Sequence, residues 1–218
     1  MEKYGYSYED EHVSIVEIGG KHFEHFVELF NGNALKKKVL CITDKDFSWM
    51  YKEGQTKTQQ DYKSFTPEHI EKLNNRFIFN EFKLCTQKNG GTTFEDELFL
   101  ANYNNVEIAI KLLKIALPEI LHPIVETCKL DMKKWEEKLS DIDGRTKPII
   151  EDLITNFTSL IRTDIANEIF YKKLFFSSLF LRYAQAKKGD VALQILTTID
   201  KSELEIPEYI REGLEWLK

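Results

Sequence analysis

With 218 residues, 25.6 kDa and 42% hydrophobic residues, the chain is long enough to bury a core as one substantial α/β domain or two small ones. A net charge of -6 argues against a protein that coats nucleic acid through charge alone. It leaves room for an enzyme that meets phosphate through bound cations, which reverse the local field where acidic side chains cluster.

No stretch approaches the ~18 to 20 apolar residues of a membrane span, and MEKYGYSYEDE lacks the basic-then-apolar layout of a signal segment. A soluble cytoplasmic protein is expected. HVSIVEIGG, residues 12 to 20, reads as a β-branched strand ended by two glycines. KHFEHFVELFNGN then sets Phe23, Phe26, Val27 and Phe30 on one helical face before an Asn-Gly stop. KKKVLCITDKD has a basic entrance, an apolar middle and an acidic exit, the pattern of a parallel strand buried on both faces. From Ser48 to about Phe65 the chain is polar without a period, which predicts an exposed loop. FTPEHIEKLNN predicts a helix with Thr66 as N-cap and Pro67 at the first helical position. NEFKLCT, residues 80 to 86, is the next strand, and QKNGG makes a glycine turn.

Beyond that turn the pattern is helical. TTFEDELFLANYNNVEIAIKLLKIALPEIL keeps an apolar period near 3.6, with Pro118 and Pro123 marking kinks or ends. LDMKKWEEKLS and the long segment from Thr146 to Ile199 continue it. Cys41, Cys85 and Cys128, odd in number and far apart, read as buried thiols with no disulfide or zinc role.

CITDKDFSWM, residues 41 to 50, sets two aspartates one residue apart straight after an apolar strand. Ligands of open parallel sheets gather outside the carboxyl ends of strands, where Asp44 and Asp46 fall. Side chains at i and i+2 of an extended strand point the same way, so the two carboxylates converge if the backbone stays extended through Lys45. Convergent carboxylates repel, and a hard divalent cation, Mg²⁺ or Mn²⁺, relieves the repulsion. An exposed Asp-Lys-Asp turn is the plain alternative.

IVEIGGKHFEHFVELF, VLCITDKDFSW and TTFEDEL, in that order, resemble successive parts of the toprim domain of overcoming-lysogenization-defect (OLD) family nucleases. AKKGDVALQIL and IPEYIREGLEWL are similar to that family's C-terminal pattern, so the likeness runs from about Ser14 to Leu217. The resemblance implies a toprim-like parallel sheet with flanking helices, followed by a C-terminal helical region. Residues 1–100 would be a partial toprim-like α/β core, and 101–218 a helical region packed on it, with the C-terminal motif at 186–217. It further implies a metal-dependent DNA endonuclease using Mg²⁺ or Mn²⁺, with DNA as substrate and an ATPase domain or subunit as partner. Without the family's first strand, one side of the sheet would keep unpartnered backbone groups, which predicts self-association with a second copy as a homodimer.

Carried over residue by residue, Asp44 and Asp46 match the metal-binding Asp-x-Asp pair. Glu95 matches an acidic position of the second metal site, with a catalytic role, and Glu97 a neighbouring acidic position. Lys188 matches the lysine that stabilises charge near the scissile phosphate. The plain alternatives are a capped helix start at Thr93 with favoured acids in its first turn, and a surface lysine. The pairs Lys133-Lys134, Lys172-Lys173 and Lys187-Lys188 suit either a DNA backbone or solvated helix faces.

The sequence departs from the family by having no Val-Glu-Gly strand ahead of His12 and no GxxxxGK[ST] loop. It therefore reads as the C-terminal piece of a larger ATP-dependent nuclease, weak or inactive alone. An inactive toprim-like interaction module is the alternative from another class. A haloacid-dehalogenase-like phosphatase fits less well, because Phe47-Ser48-Trp49 follows the aspartates.

Overall fold

The apolar run before Asp44 forms β1 (Val39–Ile42), and the run after Asn80 forms β2 (Phe82–Cys85). In the computed structural model, the described residues are 7–9, 12–18, 23–30, 35–45, 67–141, 144, 146–148, 150–151 and 165–218, with 165–170 as backbone only. β1 and β2 pair in parallel, Val39 opposite Phe82 and Ile42 opposite Cys85. The described residues fall into two compact units, one drawing on Met1–Lys45, Thr66–Gln87 and Glu208–Lys218, the other on Lys88–Pro207.

The first unit is the mixed α/β part. Helices α1 (Glu24–Glu28) and α2 (Glu68–Arg76) are tied by Arg76, which bonds Glu24 at 3.1 Å and also Glu28. Phe23, Val27, Leu73 and Phe77 make its apolar cluster, with Val39, Cys41, Phe82 and Leu84 of the strands packed against it. The third helix of this unit is the C-terminal one, Glu208–Leu217, which packs on both strands. Gly213 permits that approach, since a Cβ there would lie 2.9 Å from both Leu40 methyls and 3.3 Å from the Cys85 sulfur. Lys38, in the basic entrance to β1, donates to the terminal carbonyls of that helix at Trp216 (2.9 Å) and Leu217 (3.3 Å), a favoured place for a cation.

The second unit is helical. In chain order it holds α3 (Phe94–Asn102), α4 (Val106–Ala116), the short α5 (His122–Val125), α6 (Met132–Ser140), α7 (Ile165–Ala184) and α8 (Lys188–Thr198); the C-terminal helix of the first unit is then α9. α3 packs along α7, with Phe99 stacked on Phe180 at 5.5 Å between ring centroids. Trp135, fully buried, meets Phe175 and Tyr171 edge-on. Asn105 and Asp131 accept from the amides three residues on and so cap α4 and α6. Pro118 follows the end of α4 and Pro123 lies in the first turn of α5, as the sequence predicts. No helix among the described residues is long and apolar enough to cross a membrane.

Three local expectations need correction. Residues 13–18 form no strand: Ile15 and Val16 are 73% and 56% exposed, and a β-branched run becomes a strand only with a ladder partner and an apolar face to cover. β1 is not buried on both faces, since Val39 to Cys41 are half-buried and Ile42 is exposed. Pro67 is itself the N-cap of α2, with extended ψ, and not its first helical residue; Thr66 lies outside the described residues.

Candidate functional site

Asp44 lies two residues beyond β1, at the carboxyl end of a parallel strand, and is half-buried. Gln87 lies two residues beyond β2, the matching place on the partner, and is fully buried. Its side-chain Nε2 donates to Asp44 Oδ1 at 2.5 Å and to the Tyr209 hydroxyl at 3.4 Å, while its Oε1 accepts from the Lys45 amide at 2.8 Å. A backbone N–H only donates and a carboxylate only accepts, so the network itself determines which end of the amide is oxygen. Asp46 lies outside the described residues.

Asp44 supplies what a hard divalent cation needs first, a carboxylate oxygen donor, half-exposed and oriented by a neutral hydrogen-bond donor. Among the described residues no three His, Cys, Asp or Glu side chains gather as a metal cage.

In the helical unit, the turn before α3 is built around two buried carboxylates. Glu97, 1% exposed, accepts the amides of Lys88 (2.9 Å) and Asn89 (2.8 Å) on Oε1 and that of Gly91 (2.7 Å) on Oε2. Gly90 has a positive φ of 111°, and a Cβ on Gly91 would lie 2.5 to 2.7 Å from Glu97, so the two glycines let the backbone wrap the carboxylate. Asp96, 4% exposed, accepts the amides of Thr92 (2.7 Å) and Thr93 (2.8 Å) and the Thr92 hydroxyl (2.9 Å). The bond to Thr93 is the reach-back of a capping box, made by aspartate. Burial pushes the Asp96 carboxyl up to about 7, against the pull of the Thr92 and Thr93 donors.

Glu95 points elsewhere. Its Oε2 accepts from the Thr93 hydroxyl at 2.8 Å, and its Oε1 pairs with Lys188 Nζ at 2.8 Å. Burial raises its pKa, but the bonds from Lys188 and Thr93 outweigh burial and hold it below the usual carboxylate range. Glu95 and Lys188, some ninety residues apart in the chain, are thus brought together; Asp44 belongs to the first unit, and Glu95, Glu97 and Lys188 to the second.

Lys172 is neither a solvated side chain nor one that reaches phosphate. It is 6% exposed, and its ammonium donates to the carbonyls of Cys128 (2.6 Å) and Leu130 (2.5 Å). All three thiols are free; burial first, with Cys85 nearby, pushes Cys41 up to about 12, and burial pushes Cys128 up to about 11, so neither is a thiolate at neutral pH.

Sequence reasoning missed Gln87, which reads as part of a glycine turn. Its signal was positional: with β1 and β2 paired as they are, Gln87 stands opposite Asp44.

Residues 1–46 match the family model of the overcoming lysogenization defect protein-like TOPRIM domain. No curated protein and no solved structure matches the chain. The segment similar to the TOPRIM domain takes in α1 and β1 and runs to the Asp44 and Asp46 positions, leaving Gln87 and the acidic turn before α3 beyond it.

Proposed function

We propose that this chain is the toprim part of a divalent-metal-dependent DNA endonuclease of the OLD-like kind, acting with an ATPase domain or subunit. The observation that carries the proposal is the half-buried Asp44 at the carboxyl end of a parallel strand, held by Gln87, in a segment similar to the OLD-like TOPRIM domain. Asp44 and Asp46 would hold Mg²⁺ or Mn²⁺ as hard oxygen donors. Such an ion, when bound, supplies charge neutralisation and a water activated at neutral pH for phosphodiester hydrolysis. In this reading Glu95 is the acidic contributor of a second metal position, and Lys188, 57% exposed at its side chain, offsets negative charge developing on phosphate. Glu97 shapes the turn before α3, because both its oxygens already accept backbone amides.

One observation favours the second reading, an interaction module without catalysis: Glu95 and Glu97 are both engaged inside the protein, by Lys188 and by the turn amides. Supercoiled plasmid incubated with the chain and Mn²⁺ separates the two. Nicking that disappears in Asp44→Ala supports the nuclease. Intact plasmid, from a chain that binds Mn²⁺, refutes nuclease activity of the chain itself and favours the module. Phosphate release from small phosphomonoesters would point instead to a phosphatase. Mn²⁺ should raise the melting temperature as free ion exceeds the dissociation constant, and Asp46→Asn should remove most of that shift.

A further inference from the structure

Alternate residues of one strand donate to the same parallel neighbour. At the two ends of β1 these rungs are the Val39 amide to the Glu81 carbonyl, 2.7 Å, and the Thr43 amide to the Cys85 carbonyl, 3.1 Å. The next donor in the series is Lys45, and the residue due to accept from it is Gln87. The Lys45 amide is indeed bonded to Gln87 at 2.8 Å, but to the side-chain oxygen Oε1. The glutamine side chain therefore supplies a rung of the ladder past the last paired residue of β2. Its oxygen satisfies a buried amide that would otherwise need water or another acceptor, and its nitrogen is left facing the carboxylate one residue earlier in the chain.

We infer that Gln87 is a positioning residue for the metal centre: one amide group clamps the Lys45 backbone and orients the Asp44 carboxylate, and the Tyr209 hydroxyl holds that amide in place. Three properties support this. Gln87 is 0% exposed and Tyr209 1%, so the bonds of the amide to Lys45 and Tyr209 do not compete with bulk water. Every polar hydrogen and the oxygen of the Gln87 amide has a partner: Lys45 on the oxygen, Asp44 and Tyr209 on the nitrogen. The donor to Asp44 is neutral, so it orients the carboxylate without cancelling the negative charge that a cation requires, as lysine or arginine would. Only glutamine combines these features at this length. Glutamate would set a second anion 2.5 Å from Asp44 Oδ1, and methionine would provide neither bond. Tyr209, from the Pro-Glu-Tyr-Ile run that opens α9, thereby gains a role beyond filling the core.

The inference rests on the metal-binding reading of Asp44, and the experiment separates the two. Mn²⁺ affinity of the full chain is measured from the paramagnetic resonance signal of free Mn²⁺, with the melting temperature followed in parallel. Asp44→Asn is expected to abolish binding. Gln87→Met, close in length and volume, is expected to weaken it by about 10- to 100-fold, the usual effect of removing a partner behind a ligand. Tyr209→Phe, losing one long hydrogen bond, should weaken it by roughly 2- to 3-fold. A Gln87→Met chain that melts lower but binds Mn²⁺ like wild type overturns the inference, since packing alone would then explain the residue. An Asp44→Asn chain that binds like wild type, or a wild-type chain that binds no Mn²⁺, overturns the metal reading beneath it. Should Gln87→Met fail to fold, the wild-type chain decides through nitrogen-resolved NMR. Mg²⁺ should shift the Gln87 side-chain amide signals in wild type and leave them still in Asp44→Asn. Signals that Mg²⁺ does not move, in a chain that binds the ion, overturn the inference equally.

Discussion

Glu97→Gln tests whether the turn before α3 is held by a buried carboxylate. Wild-type Glu97 accepts three backbone amides at 2.7 to 2.9 Å, all bonds to a charged acceptor shielded from water. Glutamine has one acceptor oxygen. Placed at the Oε1 position it keeps Lys88 and Asn89, and its NH₂ then faces the Gly91 amide, donor against donor. One charge-assisted bond lost with its donor left buried costs about 2 kcal/mol, and two more reduced to neutral bonds add roughly 1 kcal/mol together. The substitution also removes the negative charge that favours the protonated form of half-buried Lys173, whose pKa burial lowers. A loss of about 3 kcal/mol in a chain of this size lowers the melting temperature by roughly 6 to 12 °C. Far-ultraviolet circular dichroism follows it directly, because the turn anchors a helical unit. Hydrogen exchange at the Asn89 and Gly91 amides should accelerate in parallel. A melting temperature within about 2 °C of wild type, with unchanged exchange at those amides, would refute the reasoning.

Asp96 makes stability depend on pH: its folded pKa, about 7, lies above the unfolded value, so its contribution is fully present below about pH 4 and is lost as pH rises through 7. Unfolding free energy should therefore fall as pH rises from about 4 to 8, by up to about 4 kcal/mol, and Asp96→Asn should flatten that slope in urea titrations; a slope identical in the variant would contradict the assignment. Gly213→Val should cost about 2 kcal/mol, because its side chain must displace the Leu40 methyls and the Cys85 sulfur between α9 and the strands, and a melting point equal to wild type would show that the helix seats differently. Lys172→Met should lower stability by about 2 to 3 kcal/mol by stranding the Cys128 and Leu130 carbonyls, measured by chemical unfolding; an unchanged midpoint would mean that water replaces the ammonium there.

Local patterns in the chain determined much of this protein. The apolar runs before Asp44 and after Asn80, each bounded by polar residues, predict β1 and β2, and the 3.6 period from Phe94 onward predicts the helices, because burial of one face dictates spacing whatever the partner. Asp44 at a strand end was legible for the same reason. The failed strand at residues 13–18 shows the limit: β-branched composition states a preference, but strand formation needs a neighbour for its backbone groups, and sequence does not name one. Tertiary structure alone decided the roles of the polar side chains. Gln87, read as part of a turn, becomes a rung of the sheet and a partner of Asp44 only once Cys85 is paired with Ile42. Glu95, Asp96 and Glu97 are three consecutive acids of one helix start, yet one meets Lys188 and two turn back onto six donors of residues 88 to 93. Composition cannot distinguish them, because a carboxylate's role depends on which donors the folded chain places within 3 Å of its oxygens.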